Sequence, residues 1–117
     1  MSSINVKTTR HGDRLRFEVS GDLDYLNDAA VVTAALEGMH DPGVTAIDLD
    51  LSQLGFCDST GLGALITIHS HAVDRGLPLV LCGPRVGLLR LLTLTGVDTL
   101  FTILLDAPAS ADVEPTA

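Results

Sequence analysis

Ile4, Val6 and Thr8 alternate with polar neighbours, as do Leu15, Phe17 and Val19, and His11-Gly12-Asp13 lies between the two runs. A period of two marks a half-buried strand, and a short break containing Gly joins two such strands as a hairpin. Gly21-Asp22-Leu23-Asp24 interrupts the pattern, after which Asn27 or Asp28 is placed to cap a helix carrying Ala29, Val32, Leu36 and Met39. Turn residues at His40-Asp41-Pro42-Gly43 end that helix. Ala46 to Leu51 alternates again, with Ile47, Leu49 and Leu51 on one face and Asp48 and Asp50 on the other. Leu54 to Cys57 is an apolar approach to the next element. A helical stripe follows through Leu62, Leu65, Ile66, His69, Ala72 and Val73, closed by Gly76 and Pro78. Leu79 to Cys82 suits a short buried strand. Gly83-Pro84 opens a helix with Val86, Leu88, Leu89 and Leu92, which stops at Gly96, and Leu100 to Leu105 reads as a last strand.

The order β-β-α-β-α-β-α-β predicts an α/β fold. Strands alternating with helices imply right-handed βα crossovers, winding as a superhelix, and a mixed, mostly parallel β-sheet with an antiparallel edge at the N-terminal hairpin. A chain of 117 residues accommodates one domain, placed at residues 1–106. Residues 107–117, rich in Ala, Pro and acids, are expected to be a disordered C-terminal tail.

Composition narrows the chemistry. Hydrophobic residues make up 46% of the chain but aromatics only 3%, so the core is built from Leu, Val, Ile and Ala and offers few stacking platforms. The formal net charge is −8, and no Lys or Arg stands between Arg16 and Arg75. That distribution argues against nucleic acid. It fits either ordinary solubility charge or an acidic face that attracts a basic partner. Cys57 and Cys82 are isolated, without disulfide-framework or metal spacing, and read as buried free thiols in a reducing compartment. With no basic segment leading an apolar one at the N-terminus, and no apolar run of membrane length, a cytoplasmic protein without membrane insertion is expected.

The segment Asp58-Ser59-Thr60-Gly61-Leu62-Gly63 stands where a strand-like run hands over to a helix. A helix start has unpaired N–H groups and a partial positive charge, which suit a phosphate. Thr60, Gly61 and Gly63 keep the first turn small, so that a partner can approach a serine hydroxyl. Gly61 and Gly63 also weaken the helix locally, by roughly 1 kcal/mol each relative to Ala. Asp58 or Ser59 would serve equally as an ordinary N-cap, worth about 1 kcal/mol, and the two roles are compatible.

Together with Ile47-Asp48-Leu49-Asp50-Leu51-Ser52, Gly21-Asp22-Leu23-Asp24 and Leu91-Leu92-Thr93-Leu94-Thr95-Gly96-Val97, this motif resembles the sulfate transporter and anti-sigma factor antagonist (STAS) family over residues 4–105. The resemblance implies a bacterial anti-sigma factor antagonist acting by partner switching in transcription regulation. Such a protein binds an anti-sigma factor that is also a serine kinase, so releasing a sigma factor. Phosphorylation switches it off and a phosphoserine phosphatase restores it. Carried onto this chain, Ser59 is the phosphoacceptor and Thr60, where Ser is commoner, a secondary one. Asp24, Asp58, Ser59, Thr60, Gly61, Leu62 and Gly63 form the partner-binding set. The resemblance implies no cofactor and no enzyme activity, ATP being used by the partner. The alternative within the family is a non-phosphorylated interaction module of a sensory or transport complex.

Other readings are weaker. Gly61-Leu62-Gly63 lacks the third glycine of a dinucleotide fingerprint, since Ile66 stands there, and no Walker motif exists. Phe-Cys-Asp-Ser-Thr-Gly is not the Gly-x-Ser-x-Gly of a hydrolase elbow. His69 and His71, two apart on a helix, point to different faces and make no metal pair. His69 reads as a core-edge residue and His71 as a solvated one. Cys57 beside Ser59 reads as structural rather than redox-active. Arg85 and Arg90 could receive a phosphate, but read first as a solvated helix face.

Overall fold

The structure, a computed structural model, describes residues 3–106. These hold β1 (Ile4–His11), β2 (Arg14–Leu23), α1 (Asp28–Met39), β3 (Ala46–Cys57), α2 (Ser59–Asp74), β4 (Leu79–Cys82), α3 (Val86–Thr95) and β5 (Thr102–Leu104), with a 3-10 turn at Val97–Leu100. The strands form one sheet in the order β1-β2-β3-β4-β5. β1 is antiparallel to β2, and every later neighbour is parallel. The α/β class and the mixed, mostly parallel sheet are as the alternation predicts.

Strand order equal to chain order has a geometric consequence. Each right-handed crossover steps the same way, so each helix returns to the same side of the sheet. Leu15, Phe17 and Val19 of β2, Ile47, Leu49 and Leu51 of β3, and Leu79 and Leu81 of β4 belong to the core on that side. They pack with Val31, Ala35 and Met39 of α1, Leu65, Ile68 and Ala72 of α2, and Leu88 and Leu92 of α3. The alternate positions carry charge: Arg16 stands opposite Asp48, and Glu18 opposite Asp50. Asp48 is nonetheless buried, and the Arg14 guanidinium donates to both of its oxygens, Nε to Oδ2 at 3.1 Å. That bidentate bond holds the Arg14 pKa above its ordinary value. It also satisfies a carboxylate that would otherwise be expensive to bury.

Two irregularities shape the end of β3. Glu18 pairs with Asp50 but Ser20 with Gln53; Gly21 pairs with Leu54 but Asp22 with Phe56. β3 thus carries two extra residues, and each such bulge reverses which side chains face the core. Leu51 and Leu54 both point inward, Phe56 points out, and Cys57 lies opposite Leu23.

Several sequence expectations need correction. Gly21-Asp22-Leu23 does not break β2, which continues to Leu23; the bulges on β3 absorb the change of pattern. Leu54–Cys57, the apolar approach to α2, is the end of β3 itself. The buried line of α1 is Val31, Ala35 and Met39, with Ala29 exposed and Val32 and Leu36 half-buried. In α2 Ile68 is fully buried and Val73 is 60% exposed. In α3 Leu88 and Leu92 are buried while Val86 is exposed. These helices are apolar on more than one side, so spacing alone leaves their rotation open by one position. The last strand is shorter than Leu100–Leu105, because the 3-10 turn after the left-handed Gly96 (φ 79°) takes up the preceding residues. Gly76 (φ 67°) follows the α2 cap as expected. The tail expected at 107–117 lies outside the described residues.

The rotation of α2 can be checked by urea unfolding. Ile68→Ala is expected to cost about 2–5 kcal/mol through the cavity it leaves. Val73→Ala is expected to change stability by under about 0.5 kcal/mol. Equal effects would mean that the helix is turned differently.

Candidate functional site at the first turn of α2

β3 delivers the chain to the edge of the sheet where the parallel strands end. There Asp58 takes an extended conformation (φ −94°, ψ −174°) and caps α2, its Oδ1 accepting the Gly61 N–H at 2.8 Å. Its own N–H donates to the Leu23 carbonyl at 3.2 Å, which ties the cap to the end of β2. Asp58 is therefore the cap, and the Ser59 side chain is not consumed by that role. Ser59 is the first helical residue and is exposed, as is Thr60.

Gly61 turns the opposite way. It is buried, and a Cβ built on it would lie 2.5 Å from the Leu23 carbonyl oxygen and 2.9 Å from the Cys57 Sγ. Its small size serves the packing of α2 against the ends of β2 and β3, not the approach of a partner. Leu62 is likewise buried. Gly63 is exposed, and a Cβ there would meet nothing within 4 Å. Of the motif, then, the structure brings Ser59, Thr60 and Gly63 to the surface and turns Gly61 and Leu62 inward.

Asp24 is buried too, in the turn between β2 and α1. Its Oδ1 accepts the Leu26 N–H at 2.9 Å. Asn27, at the N-cap position of α1, does not cap that helix with its side chain. It reaches back instead: its Oδ1 accepts the Asp24 N–H at 3.0 Å, and its Nδ2 donates to the Asp22 carbonyl at 2.7 Å. These bonds shape a turn that presents Tyr25 and Leu26, 70% and 65% exposed. Phe56, near the end of β3, and Val86, the first residue of α3, are also exposed. Sequence reasoning passed over these four. Tyr25 and Leu26 carry a local signal, large apolar residues inside a turn-like segment; Phe56 and Val86 carry none, because they belong to β3 and α3.

The acidic run between Arg16 and Arg75 is not one face. Asp48 pairs with Arg14 on the sheet, and Asp41 pairs with Arg10 at 2.6 Å beside the β1–β2 turn. Asp22, Asp24 and Asp58 remain at the edge that carries Ser59. Both thiols are held protonated: burial and then the nearby Asp58 push Cys57 up to about 11, and burial with Asp48 and Asp50 does the same for Cys82. Such thiols are poor nucleophiles near neutrality. His69 meets Phe101 edge-on at 5.1 Å and His71 is exposed, as their positions predict. Among the described residues no three His, Cys, Asp or Glu side chains are grouped to hold a metal ion. No helix among them is long and apolar enough to cross a membrane.

Comparison with known proteins fits this geometry. The family described as Mlab, STAS domain matches residues 6–106. The chain belongs to the STAS-domain family. It is 32% identical over 101 residues to an anti-sigma-B factor antagonist of Listeria monocytogenes, covering 86% of this chain and 87% of that one. The anti-sigma-B factor antagonist of Staphylococcus epidermidis is 28% identical over 107 residues, covering 86% and 93%. The crystal structure of an anti-sigma factor antagonist from Mycobacterium paratuberculosis superimposes with a TM-score of 0.73 at 28% identity, covering 94% and 90%.

The two glycines of the first turn should respond oppositely. Gly61→Ala is expected to destabilise by about 1–3 kcal/mol, because backbone and core atoms already occupy the space. Gly63→Ala is expected to be neutral or to stabilise by up to about 1 kcal/mol, since Ala favours a helix where nothing obstructs it. Thermal unfolding of the two variants decides the matter. A harmless Gly61→Ala would remove the packing role given to that residue.

Proposed function

We propose that this protein is an anti-sigma factor antagonist gated at Ser59. In the unmodified state it binds an anti-sigma factor that is also a serine kinase, and the sigma factor is released. Transfer of phosphate to Ser59 ends the binding, and a phosphoserine phosphatase restores it. The protein is the substrate and binding partner in this cycle, not an enzyme. The observation that carries the reading is the division of labour at the helix start: Asp58 performs the capping, and the adjacent Ser59 hydroxyl is exposed. The named antagonists among its relatives support the same role.

Charge supplies the mechanism. A phosphate on Ser59 adds about −1.5 to −2 units at pH 7 beside the Asp58 carboxylate. A partner surface that approached Thr60 and Gly63 closely would then meet a doubly charged, strongly hydrated group. Burying it without a matching cation is unfavourable, so binding is lost while the fold is unchanged. Ser59 belongs to no buried cluster, and nothing in the core must move for the switch to operate.

The test is capture from the native organism's lysate with unphosphorylated wild type and with Ser59→Asp as baits, followed by mass spectrometry. Circular dichroism confirms that both are folded. The wild type is expected to retain an ATP-binding anti-sigma factor and the variant to lose at least about 90% of it. With that partner and ATP, Ser59→Ala should still bind but take up no phosphate; uptake by Ser59→Ala would point to Thr60. Equal retention on both baits would replace the gate with a constitutive interaction module.

A further inference from the structure

Beside the Ser59 edge lies a groove of about 200 Å³ between the end of β3 and the start of α3, lined by Leu54, Phe56, Cys57, Arg85, Gly87 and Leu88. Resting on the function proposed above, we infer that this groove is a second docking element for the anti-sigma factor. It takes one apolar side chain of that partner, flanked by a carboxylate that pairs with Arg85.

Size selects the kind of occupant. Pockets for drug-sized molecules and cofactors run from about 300 to 1,000 Å³. A cavity of about 150 Å³ already takes benzene. The groove therefore suits a single side chain such as Leu, Met or Phe. Leu54, Leu88 and the 56% exposed Phe56 supply its apolar wall, and polar atoms line the rest, which suits an apolar side chain with a polar neighbour.

Position ties the groove to the switch. Cys57 lines it and precedes Asp58 and Ser59 directly, so a surface covering Ser59 continues onto the groove. Val86, 70% exposed, follows Arg85 directly in the chain but does not line the groove.

Charge then specifies the partner's side. Among the described residues Arg85 forms no ion pair, and the first turn of α3 has neither an acidic residue nor a side-chain cap. The guanidinium and the helix start both favour an anion there. At Asp58 the sign is reversed. The edge thus asks for an acidic residue opposite Arg85 and a basic one opposite Asp58, a pattern that sets orientation as well as attraction.

Gly87 provides the test. Gly87 lines the groove and a Cβ built on it would meet nothing within 4 Å, so Gly87→Leu adds bulk at the groove without a clash at its Cβ. Replacing a helical glycine is also expected to leave the melting temperature unchanged or raised. The anti-sigma factor captured by the wild type is titrated by calorimetry against wild type, Gly87→Leu, Arg85→Glu and Ser59→Asp. Gly87→Leu and Arg85→Glu are each expected to weaken binding at least tenfold. If both variants bind like wild type while Ser59→Asp does not, the groove is overturned and the switch stands. If the groove variants lose binding while Ser59→Asp keeps it, the groove stands and the gate falls. Should wild type capture no anti-sigma factor, both fall. If Gly87→Leu instead abolishes self-association in sedimentation, the occupant is a second copy and the inference is wrong.

Discussion

The first turn of α2 is pressed against the ends of β2 and β3, and this contact decides where every other group at that edge lies. The Leu23 carbonyl accepts from the Asp58 N–H and also sits over Gly61. The Cys57 thiol closes the remaining space. With Gly61 held inward, a helix of 3.6 residues per turn must carry Ser59 and Gly63 outward. The exposed serine is a consequence of how tightly its neighbour is buried.

The same edge shows how a one-sided sheet divides its tasks. Apolar side chains on the helix side provide the core, and the other side satisfies its buried carboxylate with an arginine fork. Neither arrangement involves the loops at the ends of the strands. The β2–α1 turn, the end of β3 and the start of α3 are left free to display the large apolar side chains Tyr25, Leu26, Phe56 and Val86. A rigid scaffold with function carried by its loops is a common solution in α/β proteins, and here the loops carry both charge signs.

Much of this was legible before any coordinates. Alternation at Leu15-Phe17-Val19 and Ile47-Leu49-Leu51 located the central strands, because one face of each is apolar and the other charged. Gly76 and Gly96 marked helix ends, since each stands in a left-handed conformation that other residues avoid. Helix rotation was less legible. Where apolar residues stand at Ile66, Ile68, Ala72 and Val73, more than one stripe satisfies the spacing, and only packing against the sheet selects between them. The bulges in β3 left no local trace, because they are a relation between two strands. At the site, the motif's position at a strand-to-helix junction was readable, but the split between Asp58 as cap and Ser59 as free hydroxyl was not. Nor was the burial of Gly61, Leu62 and Asp24, which depends on the distant Leu23 and on a turn closed by Asn27.

The separation of Asp58 and Gly61 from Ser59 has a consequence for how such a domain can change over generations. Substitutions at the cap or the inward glycine are seen by any selection for a folded chain, whatever the protein is used for. Substitutions at Ser59 are not, because no buried contact depends on its hydroxyl. A lineage could therefore lose or regain the serine without passing through an unfolded intermediate, and the scaffold would remain. If the serine is the gate proposed above, regulation by it is cheap to discard and cheap to restore.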